Sequence, residues 1–408
     1  MPNSQNEKNV CTWCRSEAGA EKPIVVAPNK GASICQSCND LVAECFNESK
    51  AESSESSEPS KLPTPKELLA VLDQHIIGQN IPKRRVSLAV YNHYKRLNQS
   101  GGASTFKKSN LLLMGPTGSG KTLVAETLAK TIDVPFVIAD ANSLTASGYV
   151  GNDVESILSN LIQKANGDLD RAERGIVFLD EIDKICKKSE NPSITRDVSG
   201  EDVQQALLKI IEGSEVDVPK GSGSRRHPNA PTEKIDTRNI LFICAGAFSQ
   251  LENIVEQKSS SSGIGFTAGV EKGEESSLID YKVTSEDLVK CGLIPELIGR
   301  LPVVTSFNPL DAEALLKIMS EPHNSILDQF TELLSFDDVG VSFTHEYCEA
   351  VANLAFEKET GARGLRAIIE DSLQDLLFEA PDYGGHHVQV NAEIIDNPSN
   401  FTLLKQAA

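Results

Sequence analysis

The stretch NLLLMGPTGSGKTLVAETLAK, Asn110 to Lys130, joins an apolar run to a helical pattern through a glycine-rich loop. The run NLLLM predicts a buried strand, and KTLVAETLAK predicts a helix that opens at the end of the loop. The loop has the spacing G-x4-G-K-[ST], in the strand–loop–helix setting that this motif requires. Backbone N–H groups of such a loop surround phosphate oxygens at a helix N-terminus. The stretch therefore predicts an α/β domain that binds a nucleoside triphosphate.

The loop residues have predicted roles at the nucleotide. Lys121 is expected to neutralise the β- and γ-phosphates, and Thr122 is expected to ligate Mg²⁺. The predicted nucleotide-binding residues of this stretch are Gly115, Pro116, Thr117, Gly118, Ser119, Gly120, Lys121, Thr122 and Leu123.

A second motif, which is acidic, lies downstream of the loop. The run GIVFLDEID predicts an apolar strand that ends in Asp180 and Glu181. Such a strand carries Asp180 to the Mg²⁺ at the carboxyl edge of a sheet, and Glu181 is placed to orient or deprotonate an attacking water. Together with the loop, this pair predicts hydrolysis of a nucleoside triphosphate.

Length and charge limit the classes of protein. The 408 residues suffice for two or three domains, and 39% of them are hydrophobic. A net charge of −19 disfavours general binding to nucleic acid, although a local basic channel stays open. No apolar run approaches the roughly 18 residues of a membrane span, and the start MPNSQNEKNV lacks the features of a targeting peptide. We expect a cytoplasmic protein with no membrane or nucleic-acid partner.

The composition predicts four regions. Residues 1–46 are a cysteine-rich module, and residues 47–61 are an acidic, serine-rich linker with too little apolar surface to fold. Residues 62–307 alternate apolar strands with helical stretches, which predicts a mostly parallel sheet covered by helices. Residues 308–408 are mainly helical with two short strand candidates, VGVSF and HHVQV, and predict a small α+β domain.

Two cysteine pairs predict a structural zinc site in the N-terminal module. Cys11 and Cys14 form one C-x-x-C pair, Cys35 and Cys38 form the other, and twenty residues separate the pairs. This spacing is close to that of four-thiolate zinc sites. The alternative is four ordinary buried cysteines. So small a module rarely folds on a hydrophobic core alone, which favours zinc.

The order of motifs along the chain resembles that of the ClpX family of AAA+ unfoldases. The four-cysteine module, the linker, GPTGSGKT, GYVG, DEIDK, SGIGF, LIPELIGRLPVV and TGARGLR all occur in the family's order, over nearly the whole chain. The resemblance implies an AAA+ large domain, a small C-terminal domain and ATP hydrolysis coupled to protein unfolding. It also implies a homohexamer that receives protein substrates and adaptors.

The resemblance extends the predicted nucleotide site. HIIGQ matches the family segment that surrounds the adenine, which implicates Ile76 and Ile77. Arg300 matches the arginine finger that reaches the nucleotide of a neighbouring subunit, and Arg363 matches the sensor-2 arginine. The implied catalytic set is Lys121, Asp180, Glu181, Arg300 and Arg363. Ala245, in a stretch similar to the sensor-1 strand, stands where glycine is expected, and hydrolysis should tolerate it.

The resemblance also implies loops that line a substrate pore. GYVG places Tyr149 and Val150 between two glycines, as in the family's pore loop that grips a translocating chain. By itself the pattern also fits a turn with Tyr149 tucked inward. RRHP is similar to the basic loop at the pore entrance, which implicates Arg225, Arg226 and His227.

An apolar tripeptide lies within the serine- and glycine-rich stretch KSSSSGIGFTAG. Exposed apolar side chains usually find a partner surface, which is either their own domain or another protein. In the family this tripeptide docks on the ClpP peptidase, and the matching residues here are Ile264, Gly265 and Phe266. The resemblance therefore implies ClpP as a partner.

Besides an unfoldase that feeds a separate peptidase, two other functions share the same motifs. No protease motif is evident in the sequence: HEYCE at His345 lacks the second histidine of H-E-x-x-H, and G-x-S-x-G does not occur. A stand-alone remodelling chaperone would share the whole ATPase and differ only in peptidase binding. A DNA motor is disfavoured by the net charge and by an aromatic pore loop.

Overall fold

The computed structural model describes residues 10–17, 24–26, 33–39, 41, 62–99, 108–145, 152–186, 200–219, 232–251, 254 and 283–405. The chain divides into two compact units, residues 1–61 and residues 62–408. No helix in these ranges is both long enough and apolar enough to cross a bilayer.

The described strands are Ile24–Val26 (β1), Ser33–Cys35 (β2), Leu111–Met114 (β3), Phe136–Asp140 (β4), Leu144–Thr145 (β5), Asn152–Asp153 (β6), Ile176–Asp180 (β7), Glu215–Pro219 (β8), Thr232–Asp236 (β9), Leu241–Gly246 (β10), Val303–Ser306 (β11), Gly340–Phe343 (β12), His386–Val390 (β13) and Thr402–Lys405 (β14). The described α-helices are Pro65–His75 (α1), Asn80–Gln99 (α2), Lys121–Ile132 (α3), Glu155–Lys164 (α4), Leu169–Glu173 (α5), Gly200–Glu212 (α6), Ser285–Lys290 (α7), Pro295–Ile298 (α8), Ala312–Ser320 (α9), Ile326–Ser335 (α10), His345–Glu357 (α11), Gly361–Ser372 (α12) and Gln374–Glu379 (α13). Short 3-10 helices span Ala141–Ser143, Ile182–Ile185, Thr237–Asn239, Ala380–Tyr383 and Ala392–Ile395.

The larger unit is built on a five-stranded parallel sheet in the order β11-β3-β10-β7-β4. The central strands are buried throughout because helices cover both faces of the sheet, which explains their continuous apolar runs. Side chains of β3 alternate between two cores: Leu112 and Met114 face one, and Leu111 and Leu113 face the other. The predicted α/β class with a mostly parallel sheet is confirmed.

The helices of the large domain lie on the faces that their apolar residues dictate. Helices α4 and α6 pack on one face, and α1, α2 and α3 pack on the other. The start of α1 is fixed by a capping box, in which Thr64 and Glu67 satisfy each other's backbone N–H groups and Pro65 occupies the first turn. Helix α1 ends at His75, just before the segment that carries Ile76 and Ile77.

A second, separate core forms in the C-terminal residues. Helices α9 to α13 surround buried side chains such as Leu315, Tyr347 and Leu365, beside a sheet in the order β12-β13-β14. Strand β12 runs parallel to β13, and β14 runs antiparallel to it. VGVSF and HHVQV are strands as predicted, and this region is the predicted small α+β domain.

The N-terminal unit holds a short antiparallel hairpin of β1 and β2, in which Ile24 pairs with Cys35. Its small apolar cluster consists of Cys11, Cys35 and Cys38, with Ile24 and Ile34 packed against them. Few apolar side chains support this unit in the residues that the structure describes.

Candidate functional site

The loop after β3 has a backbone that only glycine adopts without strain at several positions. Gly115, Gly118 and Gly120 have φ angles of +135°, +78° and +94°. A Cβ at Gly115 would lie 2.4 Å from the carbonyl oxygen of Phe307, so the loop passes directly against the backbone that follows β11. Helix α3 then begins at Lys121 and turns its N-terminus toward the loop, as a phosphate site requires.

Lys121 is folded back over this loop. Its Nζ donates to the carbonyl oxygens of Gly115 and Pro116, both at 2.8 Å, and only 8% of the residue is exposed. Burial lowers the pKa of Lys121, and the negative charges of Asp180 and Asp183 oppose that shift. Among the described residues, carbonyl oxygens of its own loop hold this buried ammonium, and such bonds can be exchanged for bonds to phosphate oxygens.

The predicted acidic pair lies at the same edge of the sheet. Asp180 is the last residue of β7 and is half-buried, whereas Glu181 is exposed with a left-handed backbone at φ +55°. The N–H of Glu181 donates to Oδ1 of Asp180 at 2.9 Å, which directs that carboxylate. The structure therefore brings Lys121, Asp180 and Glu181 to one edge.

Asp183 belongs to this group, although the sequence reasoning did not select it. Its Oδ1 accepts from the N–H of Ala247 at 3.2 Å, and a Cβ at Gly246 would lie 2.7 Å from the same oxygen. The carboxylate thus lies against the end of β10. The signal was present in the sequence, because DEID offers a third acidic residue two positions after Glu181.

Ile76 and Ile77 lie beside the start of α3. Ile76 is 5% exposed and packs in the core under α1 to α3, and a Cβ at Gly120 would be 3.9 Å from its Cγ2. Ile77 is half-buried. The two side chains are placed differently: Ile76 supports the loop from the core, and Ile77 keeps some surface for a ligand.

The small domain reaches the loop through the N-terminus of α12. A Cβ at Gly118 would lie 3.1 Å from the carbonyl oxygen of Thr360, and one at Gly361 would lie 3.0 Å from that of Thr117. The two backbones therefore touch. Arg363, the third residue of α12, is exposed, and its charge contributes to lowering the pKa of Lys121 after burial.

Arg300 lies at the opposite, amino edge of the sheet. The side-chain amide of Asn110, just before β3, donates to its carbonyl oxygen at 3.0 Å. Its guanidinium binds Oε1 of Glu212 through Nε at 2.9 Å and Nη2 at 2.7 Å. Strand β3 separates Arg300 from Gly115, a distance of about 13 Å at ~3.3 Å per residue. The structure does not bring Arg300 to the loop of its own chain.

The four predicted metal-ligating cysteines come together in the N-terminal unit. The sulfur atoms of Cys11, Cys14, Cys35 and Cys38 all lie within 4.8 Å of one another, and Cys14 is the exposed member. Thiolates bound tetrahedrally at about 2.3 Å from zinc are about 3.8 Å apart, so this spacing fits the ion. The backbone N–H of Cys35 also points at Sγ of Cys11, at 3.4 Å.

Local hydrogen bonds make these thiols unequal. The Ser16 hydroxyl, 2.7 Å from Sγ of Cys14, lowers the pKa of the Cys14 thiol to about 6. A hydrogen bond with Cys14 and burial raise the pKa of Cys38 to about 12. A thiol that already ionises near neutral pH suits a metal ligand, because the thiolate is the form that binds.

Thr122 and Leu123 lie in the first turn of α3, whereas the predicted pore and docking residues lie outside the described residues. These are the pore-loop residues Tyr149, Val150, Arg225, Arg226 and His227, and the docking residues Ile264, Gly265 and Phe266.

Comparison with known proteins gives matches over both domains of the larger unit. Residues 106–304 match the family model described as "AAA domain (Cdc48 subfamily)". Residues 310–391 match "C-terminal, D2-small domain, of ClpB protein". The "ATP-dependent Clp protease ATP-binding subunit ClpX" of Treponema denticola is 49% identical over 401 residues, which are 97% of this chain and 96% of that protein.

Proposed function

The chain belongs to the ClpX family of AAA+ ATPases, and from this premise we propose that it is an ATP-dependent unfoldase that threads proteins into a ClpP-type peptidase. The observation that carries the proposal is the contact between the Gly118 loop and the N-terminus of α12 at Gly361. Both domains touch one phosphate loop, so a change of nucleotide at the loop alters the fit between them. Repeated motion of this kind can pull on a substrate whose fold is held by only ~5–15 kcal/mol.

The proposed domain bounds are 1–46 for the zinc module, 47–61 for the linker, 62–307 for the large domain and 308–408 for the small domain. Phe307 packs in the large-domain core and Leu310 packs against the small-domain core, which supports a boundary between residues 307 and 308. The cytoplasmic location stays a prediction from the sequence.

Hydrolysis is assigned to the residues at the carboxyl edge. Lys121 would exchange its loop carbonyls for phosphate oxygens, and Glu181 would orient and deprotonate the attacking water. Thr122 and Asp180 would hold Mg²⁺, which supplies positive charge to the phosphates when bound. Ile76 and Ile77 would contact the adenine, and Arg363 would report the nucleotide from the small domain.

Arg300 is proposed to act on the nucleotide of a neighbouring subunit. Its place at the amino edge, across the length of β3 from its own loop, supports action in trans. A finger supplied in trans makes each site incomplete in a lone chain. A closed ring, which we propose to be a homohexamer, completes every site.

Zinc is proposed to be held by Cys11, Cys14, Cys35 and Cys38. The ion supplies a covalent-like cross-link to a unit with few apolar side chains in its described residues. All four ligand positions are protein thiols, so the role is structural. Metal analysis of the purified chain should find one zinc per chain, and Cys38→Ser should lose it. Zinc retained by Cys38→Ser would contradict the ligand set.

The pore and docking roles rest on resemblance to the family. Tyr149 and Val150 would grip the translocating chain, and Arg225, Arg226 and His227 would attract substrate tails. Ile264, Gly265 and Phe266 would insert into apolar clefts on the peptidase, and several such loops in a ring would act together through effective concentration.

The decisive test is degradation of a stable, tagged protein by the purified chain with ClpP and ATP. The parent chain should degrade it, Glu181→Gln should assemble without hydrolysing ATP, and Tyr149→Ala should hydrolyse ATP without unfolding the substrate. Phe266→Ala should keep its ATPase but lose degradation. Unfolding without any ClpP binding by the parent chain would favour the stand-alone chaperone. Full unfolding by Tyr149→Ala would contradict the threading mechanism.

A further inference from the structure

The two domains of the larger unit are joined over a very short stretch of backbone. Phe307 is fully buried in the large-domain core, and its N–H donates to the carbonyl oxygen of Met114 at 2.7 Å. Leu310 already packs against the small-domain core. The change of domain therefore occurs at Asn308 and Pro309. The proline ring fixes its own φ and restricts the residue before it, so few torsions remain to set the exit direction of the chain.

One side chain holds both backbone polar groups of Asn308. The Gln79 amide donates through Nε2 to the carbonyl oxygen of Asn308 at 2.8 Å and accepts through Oε1 from its N–H at 3.0 Å. Only 9% of Gln79 is exposed. The two bonds act like a pair of strand hydrogen bonds. They fix both peptide groups that flank the Asn308 Cα, and so they fix the direction in which the chain enters the small domain.

An unusual backbone conformation at Gln79 directs this side chain toward Asn308. Gly78 and Gln79 are consecutive left-handed residues, with φ angles of +66° and +53°. A non-glycine residue keeps such a conformation only where its surroundings demand it. The carbonyl oxygen of Gln79 accepts from the N–H of Lys83 at 3.0 Å and so joins the first turn of α2.

The same segment reaches the nucleotide loop. Ile76, three residues before Gln79, lies against the Gly120 end of the loop. A continuous path of contacts therefore leads from the loop through Ile76 and Gln79 to Asn308. On the other side of the junction, α12 returns to the loop and carries Arg363.

We propose that Gln79 is a positioning residue that sets the angle between the two domains, so that nucleotide bound beside Ile76 controls the placement of Arg363. The inference rests on the proposed ATPase function and adds a residue to it. Loss of the two bonds would leave ATP able to bind but would let the small domain rotate without regard to the nucleotide.

The substitution Gln79→Glu separates positioning from simple loss of packing. It keeps the shape of the side chain, and the carboxylate still accepts from the N–H of Asn308, but it has no proton to donate to the carbonyl oxygen. At lower pH the protonated carboxyl regains that donor. Burial raises the pKa of this carboxyl, and the buried ammonium of Lys83, which donates to the carbonyl oxygen of Ile76 at 2.9 Å, opposes that shift. Gln79→Ala loses both bonds at every pH. Gln329→Ala is the matched control, because the Gln329 amide also makes two hydrogen bonds, both within the small domain. It donates to the carbonyl oxygen of Asn324 at 3.0 Å and accepts from Nη1 of Arg366 at 2.7 Å.

The experiment measures kcat and KM for ATP of the full chain from pH 6 to pH 8. At pH 8, kcat of Gln79→Glu should fall by about tenfold, as for one lost bond with a buried acceptor left unpaired, while KM changes by less than about threefold. The kcat of Gln79→Glu divided by the kcat of the parent should rise toward one as the pH falls to 6. The same ratio for Gln79→Ala should stay low and should not change with pH.

Hydrogen exchange of the Asn308 amide gives a second readout that needs no activity. It should exchange about tenfold faster in Gln79→Ala than in the parent or in Gln329→Ala. The inference would be overturned by any of three results. These are a kcat like that of the parent in both Gln79 variants, a kcat ratio of Gln79→Glu to the parent that does not change with pH, or a change confined to a higher KM. A parent chain that hydrolyses no ATP would overturn the proposed function instead, and hydrogen exchange would still decide whether Gln79 holds the junction. If Gln79→Ala does not fold, Gln79→Glu at pH 6 and pH 8 decides the question.

Discussion

The two edges of the parallel sheet use polar side chains in opposite ways. At the carboxyl edge, Lys121 is bonded to carbonyl oxygens of its own loop, and Glu181 is exposed on a left-handed backbone. At the amino edge, polar side chains bond to the backbone of other elements. Asn110 joins β10 to the residues before β11, and His93 and Lys108 bind carbonyl oxygens of the Thr237–Asn239 turn.

This difference separates chemistry from stability within one sheet. The carboxyl edge keeps donors and acceptors whose present partners a ligand can replace, which is where parallel α/β sheets bind nucleotides. At the amino edge, Asn110, His93 and Lys108 are each bonded to backbone groups of the fold, although Nδ1 of His93 has no partner in the described residues. Arg300 differs from these groups, since its side chain is half-exposed and pairs at the surface with Glu212. It suits an edge that is presented to a neighbouring subunit.

The largest expected effect tests whether Arg300 serves another chain. Arg300→Ala should reduce ATP hydrolysis by roughly 10³- to 10⁵-fold, as expected for loss of an arginine finger. Mixing Arg300→Ala with Lys121→Ala should restore part of the activity, because each mixed ring then contains some sites with both an intact loop and an intact finger. Steady-state ATPase assays of the separate and mixed variants measure this.

Arg238→Ala is the matched control, because Arg238 is an exposed arginine near the same edge that pairs with Asp236 and Glu215. It should keep its activity. Absence of recovery in the mixture, with rings still formed, would mean that Arg300 does not act in trans.

The next effect tests the close packing at the carboxyl edge. Gly115→Ala would place a Cβ 2.4 Å from the carbonyl oxygen of Phe307, at a φ of +135°. We expect a loss of about 3 kcal/mol or more in the free energy of unfolding. Gly167→Ala also has a left-handed φ, of +82°, but meets no atom within 4 Å, so it should cost only about 1–2 kcal/mol. Thermal unfolding of both variants gives the comparison, and equal losses would show that the loop is less constrained than described.

A pH effect tests the amino edge. Burial, helped by the nearby charges of Arg96, Lys108 and Arg174, lowers the pKa of His93 to about 3. At this site the unfolded chain therefore binds a proton that the folded chain does not between about pH 6.5 and pH 3. The contribution of His93 to stability is full above pH 6.5 and falls with acidification. At pH 5 the loss from this one group is about 2 kcal/mol.

His93→Gln keeps a donor for the carbonyl oxygen of Asn239 but has no titration. The midpoint temperature of thermal unfolding of His93→Gln should therefore fall less between pH 7 and pH 5 than that of the parent. Parallel midpoint curves for the two proteins would contradict the assignment of a buried neutral His93.

The smallest effect concerns the pair of Arg300 and Glu212. The two side chains are 48% and 41% exposed, so Glu212→Gln should change the free energy of unfolding by less than about 1 kcal/mol. Glu212, the last residue of α6, orients the guanidinium of Arg300. The substitution should therefore still change the ATPase rate of the ring by a few-fold. A large loss of stability would mean that the pair belongs to the core of the amino edge.

Much of the fold could be predicted because its signals are local. The apolar runs that became β3, β7 and β10 are continuous, which is the pattern of strands covered on both faces. The glycine-rich loop after β3 was predictable because its glycines satisfy a backbone requirement. DEID offered Asp183 as a third acidic residue, but its contact with the end of β10 joins segments that are distant in the sequence and could not be predicted.

The sequence alone identified the loop that is proposed to bind phosphate, the acidic pair at a strand end and the two cysteine pairs, because each is a short pattern fixed by local geometry. Only the tertiary structure decided which edge of the sheet each charged residue occupies. It placed Arg300 across β3 from its own loop, Gly361 against Gly118, and Gln79 on Asn308. These placements join residues far apart in the chain, and packing of whole elements sets them, so no local pattern encodes them.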